Sequence, residues 1–174
     1  INNYNATSPY DLNNTLSGAD DGGFWCAGVA GGAPIASLID PNTYGTGTFQ
    51  FTYEVTGMPP CANDNSTITL TINPEPVINT FTSNIPTISQ GNPITLTVDM
   101  AVGTPPFTIN LVDDDIPSNP CAISIIPPDM FGSVSATPNV IPVTTYSITG
   151  ITDAVGCTTT SAITVPVTVD PYPI

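Results

Sequence analysis

Four stretches of the chain alternate apolar and polar residues one by one: GTFQFTYEV (47–55), STITLTIN (66–73), ITLTVDM (94–100) and ITVPVTV (163–169). A period of two suits only a strand with one buried face, because successive side chains of a strand point to opposite sides. Phe49, Phe51, Tyr53 and Val55 share one face of the first run, and Ile68, Leu70 and Ile72 are in phase in the second. Ile94, Leu96, Val98 and Met100 follow the same rule, as do Phe107, Ile109 and Leu111. The segment 144–171 reads as a hairpin, with Tyr146 and Ile148 facing the core beside Ile163, Val165, Val167 and Val169, and Asp153 to Gly156 as its turn. Pro166 falls on the outward phase and donates nothing to a ladder, so its strand is expected at a sheet edge or a bulge. With 20 prolines and 14 glycines breaking any helical period, the pattern predicts an all-β chain of small antiparallel β-sandwich units.

The patterned blocks part at Asn73-Pro74-Glu75-Pro76, where proline stiffens an extended joint. Two tandem domains are expected, 1–75 and 76–174. They echo each other: Gly57-Met58-Pro59-Pro60 and Gly103-Thr104-Pro105-Pro106 each adjoin a strand, and both blocks end in a Thr-alternating strand followed by Asn73-Pro74 or Asp170-Pro171. Small domains strung on short proline joints are the layout of a stalk or fibre.

Charge removes whole classes of function. The chain has 14 Asp and Glu and no Lys, Arg or His. Nucleic acids and anionic membrane surfaces need cations that it lacks. Ser-His and Cys-His nucleophile pairs, Schiff-base lysines and His-based zinc sites are impossible. Paired carboxylates alone give no protease signature, since Asp20-Asp21-Gly22 is not Asp-Thr/Ser-Gly, and the chain reads as a non-enzyme. Residues are 40% hydrophobic and 8% charged, enough to bury a core. The longest apolar run, near Ala122 to Ile126, is far short of a membrane span. Ile1, with no initiator Met or signal segment, reads as the edge of a mature or excised piece.

Each block holds two cysteines, Cys26 and Cys61 in the first, Cys121 and Cys157 in the second, separated by 35 and 36 residues. The matched spacing favours one structural disulfide per unit, although four cysteines allow three pairings. Disulfides imply an oxidising, extracytoplasmic compartment. No cofactor is expected; the one candidate metal is calcium at Asp113, Asp114 and Asp115, whose mutual repulsion a divalent ion would relieve, against the plainer reading of a solvated acidic loop. Trp25, beside Cys26, either packs in the core or offers a stacking face to sugars. Asn5-Ala6-Thr7, Asn13-Asn14-Thr15 and Asn65-Ser66-Thr67 match the N-glycosylation pattern.

The segment LSGADDGGFWCAG with IDPNTYGTGTFQFTYEVTGMPPCANDNSTITLTINP resembles short repeats of very large, secreted Bacteroidota surface proteins, with their Gly-Gly-x-Trp, Gly-Thr-x-x-Phe-x-Tyr and Pro-Pro-Cys features. VGTPPFTINL with TTYSITGITDAVGCTTTSAITVPVTV resembles the immunoglobulin-like repeats of the same proteins, which include gliding-associated adhesins exported by the type IX system. This implies immunoglobulin-like folding, an extracellular, cell-surface location and an origin inside a longer polypeptide. The expected function is a structural repeat segment of a surface adhesin or filament, giving reach and display, with neighbouring repeats as partners. Two alternatives stand beside it. One is a self-assembling fibre subunit, exchanging Thr160 to Val169 or an arm at 1–9; the other is a carbohydrate-binding module recognising surface glycans through Trp25.

Overall fold

The computed structural model describes residues 2–5, 9–18, 22–114, 121–126 and 128–172, those at 2–5 and 121 by their backbone alone. The chain forms two compact units, Ile1–Pro74 and Glu75–Ile174.

In chain order the first unit contains β1 (Asn2–Asn5), β2 (Tyr10–Asp11), β3 (Phe24–Ala27), β4 (Pro34–Ile35), β5 (Leu38–Ile39), α1 (Pro41–Tyr44), β6 (Gly47–Val55) and β7 (Asp64–Asn73). One sheet runs β1-β7-β6-β3-β4. The alternating runs make its centre: Phe49 pairs with Leu70 and Phe51 with Ile68, so both apolar stripes lie on one face. A thinner second layer covers that face. There β2 pairs with β5, and each leads into an Asp-x-Asn turn. Asp11 accepts the Asn13 N–H at 3.0 Å and opens a 3-10 turn, while Asp40 accepts the Asn42 N–H at 2.9 Å and opens α1. The carboxylates satisfy N–H groups that a helix start leaves without partners. Leu12 and Ile39 thereby enter a core with Trp25, Phe51, Tyr53, Leu70 and Ile72.

The opposite face of this sheet is covered too, by the turn between β3 and β4. Gly28 donates its N–H to the Gln50 carbonyl at 2.8 Å, and the Thr52 hydroxyl donates to the Gly28 carbonyl at 2.6 Å. Thr52, on the polar phase of β6, is therefore fully buried, and it also bonds the Thr67 hydroxyl at 2.9 Å.

The second unit contains β8 (Val77–Ser83), β9 (Thr87–Ser89), β10 (Ile94–Val102), β11 (Phe107–Asp113), β12 (Cys121–Ile125), β13 (Phe131–Ala136), β14 (Val143–Thr152), β15 (Thr158–Thr159) and β16 (Thr164–Asp170). One sheet runs β13-β10-β8 and the other β12-β11-β14-β16-β9, with β15 beside β14. Side chains from both sheets, including Leu96, Val98, Phe107, Ile109, Tyr146 and Val167, share one core. Two sheets over a common core, with the opening segment split between them, form the Greek-key arrangement of an immunoglobulin-like sandwich.

Three details depart from the simple alternating picture. Each unit carries a parallel pair, β1 with β7 and β9 with β16, so neither is purely antiparallel. The register between β11 and β14 shifts after Asn110, so Leu111 faces Ile148 while Asn110 faces Gly150. This bulge returns Ile151 to the core three residues after Ile148. Finally, Ile163, expected in the core, precedes β16 and is 38% exposed. Pro166 sits opposite Thr145 of β14, while β9 reaches only Thr168 to Asp170. The Thr168 N–H points away from β14, donating to Pro86. Two residues earlier on the same phase, the missing N–H of Pro166 therefore faces the uncovered side, as expected for a strand edge.

Candidate functional site

The core stripe of β7 turns polar at its start. Ile72, Leu70 and Ile68 face inward, but the next positions in phase are Ser66 and Asp64, paired with Tyr53 and Val55 of β6. A groove of about 320 Å³ opens there. Trp25, Tyr53, Val55 and Ile68 form its apolar side, Thr15 to Gly18 one wall, and Asp64, Asn65 and Ser66 the polar rim.

Both aromatic rings are fixed in place. The Trp25 indole N–H donates to Asn13 Oδ1 at 3.0 Å, and its ring tilts against Tyr53 with centroids 5.3 Å apart. The Tyr53 hydroxyl accepts the Gly23 N–H at 3.1 Å. A side chain at Gly23 would collide with the Tyr53 ring, since a Cβ there would lie 2.5 Å from it. Asp64 is the groove's carboxylate, and its Oδ1 accepts the Asn65 N–H at 2.8 Å. The sequence signal for this site was the loss of apolar phase at Asp64 and Ser66, just after the turn-rich loop.

Trp25 itself is only 3% exposed. Of the two readings of Trp25 the structure takes the core one, and the alternative of a stacking face falls away. Asn13, the first residue of a glycosylation match, is exposed, and its Oδ1 accepts that indole hydrogen bond.

The cysteines are corrected as well. Cys26, Cys61 and Cys157 are free thiols. Cys26 lies on β3 opposite Thr52, and Cys61 lies in the loop that begins three residues farther along β6, beyond Val55. That is ~10 Å along the sheet before the loop is counted, against a Cα reach of about 7 Å for a disulfide. The Cys26 thiol donates to the Gly32 carbonyl at 3.3 Å instead. Cys121 pairs with Leu111 on the far side of β11, whereas Cys157 precedes β15 on the far side of β14. Three strand spacings, ~14 Å in all, separate them laterally.

What holds the turn at Cys157 is Asp153, buried to 5% exposure. Its Oδ1 accepts the N–H groups of Cys157 at 2.8 Å and Val155 at 3.1 Å, and its Oδ2 accepts that of Thr104 at 3.2 Å. Ala154 donates to the Thr104 carbonyl at 2.9 Å. The Asp-x-x-Gly-Cys turn is thus tied to the Gly103-Thr104-Pro105-Pro106 segment. Gly103, at φ +122°, has no room for a side chain, because a Cβ would lie 2.6 Å from the Phe107 ring. Burial, then the charges of Asp153 and Glu75, push the Cys157 thiol above its ordinary pKa. It stays protonated at neutral pH and is no nucleophile.

Of the calcium candidates, Asp113 is half-buried at the end of β11, and exposed Asp114 accepts the Thr145 N–H at 2.9 Å. Asp115 lies outside the described residues, as do Asp20 and Asp21. Among the described residues no group of three or more His, Cys, Asp or Glu is placed to hold a metal ion. Nor is any described helix long and apolar enough to cross a membrane.

No protein-family model matches the chain, and no curated protein matches it. Among solved structures it is similar to a titin segment of three immunoglobulin domains carrying E-to-A mutations. That match has TM-score 0.42 and 10% identity, and it covers 89% of this chain and 51% of the segment. It is also similar to domains 4 and 5 of the S-layer protein SbsC, with TM-score 0.37 and 16% identity, covering 88% of this chain and 74% of that one. The chain spans about half the length of the titin segment.

Proposed function

We propose that the chain is a structural repeat segment of an extracellular surface adhesin or filament, transmitting tension along its length. One observation carries this reading: in both units a strand at or near the start pairs in parallel with the last strand. In the first unit β1 pairs with β7 from Asn2–Leu70 to Asn5–Asn73, and in the second β9 pairs with β16 from Thr87–Thr168 to Ser89–Asp170. In a parallel pair the chain enters one strand and leaves the other at opposite ends. Tension along the chain then loads the pair's hydrogen bonds together in shear, rather than opening them one at a time. The joint supports the same reading, since only Pro74, Glu75 and Pro76 separate β7 from β8. With Cys26, Cys61 and Cys157 unpaired, the extracellular location draws no support from disulfides. It rests on the resemblance to secreted surface repeats. Antibodies against the chain are expected to label intact cells that make the parent protein; labelling only after permeabilisation would contradict the location.

The pairing of β1 favours a second reading. It adds to the edge of β7 through its backbone, and the same edge would accept the corresponding strand of another copy. The other exchange candidate, Thr160 to Val169, is less suited, because β16 already lies between β14 and β9. Electron microscopy of the purified chain decides: separate particles fit a tandem segment, and spontaneous filaments fit a strand-exchanging subunit.

A further inference from the structure

We infer that the open half of the β7 edge, with the groove beside it, is a docking site for an extended basic segment of another polypeptide. β7 runs from Asp64 to Asn73, but its outer neighbour β1 pairs only with Leu70 to Asn73. The Gln50 carbonyl accepts the Gly28 N–H on the β3 side, and in an antiparallel ladder a residue turns its N–H and C=O to the same side. Gln50 therefore makes no ladder bond to its partner Thr69. In the same phase, Thr69, Thr67 and Asn65 turn their backbone groups away from β6, towards the outer edge. Asp64 to Thr67 are exposed, and among the described residues no strand or loop bonds the backbone of Thr67 on that side. The register with β6 is unbroken here, and 64–69 contain no proline or lysine. The bulges, prolines and lysines that commonly block strand addition at an edge are therefore missing.

A strand added at this edge places every second side chain on the face of Asp64, Ser66 and Ile68, beside the groove. Half-buried Leu16, Val55 and Ile68 line the groove, with the Asp64 carboxylate at its rim. That combination fits a long cationic side chain, whose stem packs on the apolar wall while its head reaches the carboxylate. Asp64 Oδ1 accepts the Asn65 N–H, and the carboxylate keeps acceptor sites for a cation. Charge decides the kind of partner. The chain holds 14 acids and no Lys, Arg or His, so a second copy brings Asp64 more negative charge and nothing to neutralise it. A carboxylate on the core phase of an edge strand rejects such a partner and admits a basic one. The site lies beyond β1, so it stands apart from any exchange of that strand and from the tension-bearing role.

The purified chain would be titrated with a short labelled peptide that alternates Lys and Val, following anisotropy and the amide exchange of Thr67. Two analogues serve as comparisons: one with Glu for every Lys, and one of unchanged charge with Pro at alternate Val positions, which cannot donate to a ladder. The expected result is saturable binding of the Lys peptide, slower Thr67 exchange in the complex, and weak binding of both analogues. Thr67→Pro, which removes an outward N–H, should weaken binding at least about tenfold, a loss of ~1.4 kcal/mol. Asp64→Asn, a change at an exposed position, should weaken it roughly threefold, the scale of an exposed ion pair. The peptide comparison and the exchange are read on the unaltered chain, so they decide even where Thr67→Pro fails to fold. Absence of saturable binding, equal binding of either analogue, or Thr67 exchange unchanged in the complex would overturn the inference. So would slower Thr67 exchange in the concentrated chain alone, which would make the partner a second copy.

Discussion

Asp153 accepts three backbone N–H groups, so Asp153→Ala leaves donors at Thr104, Val155 and Cys157 without that acceptor. The second unit should lose about 3 kcal/mol, read from urea unfolding, because the buried Cys157 donor and the part-buried donors at Thr104 and Val155 lose their acceptor and keep much of their desolvation cost. Asp153→Asn, which retains one acceptor oxygen, should cost less. The thiols give a second test at this scale. Exposed Cys61 should react with a thiol reagent in the native protein, whereas buried Cys26 and Cys157 should react only on unfolding. A mass unchanged by reduction is expected as well. Two bonded pairs would contradict the placement of the cysteines. The near-equal spacing of 35 and 36 residues, which suggested one bridge per unit, measures distance along the chain. It carries no information on which side of β11 or β14 each residue falls.

Among the elements, β9 matters out of proportion to its three residues. It closes the second unit against β16, and the Gln90 N–H just beyond it donates to the Asp170 carbonyl at 2.8 Å. Gln90→Pro deletes that donor. The force needed to unfold the second unit from its ends should therefore drop, while the first unit's force stays the same. The strands with a strict period of two, β6, β7 and β10, were legible from sequence because one buried face dictates the pattern. The end of β14 was less so, since the extra residue Thr149, opposite the step from Asn110 to Leu111, changes the apolar spacing from two to three between Ile148 and Ile151. The strand β1 was hidden because Asn2 to Asn5 carry no apolar stripe and pair through the backbone. The groove left a faint trace, the polar residues on the core phase of β7. The tie from Asp153 to Thr104 left none, as it joins residues 49 positions apart.

Across the whole molecule, 14 acids without a single counter-charge make self-repulsion a standing cost of the folded state. The melting temperature should therefore rise as monovalent salt increases, since the Debye length falls from ~30 Å at 0.01 M to ~3 Å at 1 M. Flat or falling stability would mean that the acids are held by local partners. The shared end-closure of both units is the core of the functional reading, and mechanical loading tests it most directly. A single molecule pulled by its two ends should unfold in two discrete steps, releasing roughly 25 and 35 nm of chain at ~3.6 Å per residue. Each step should require more force than when the same unit is pulled from attachment points that peel its closing strands apart. Gradual extension at low force, or equal forces in the two pulling directions, would contradict a tension-bearing repeat.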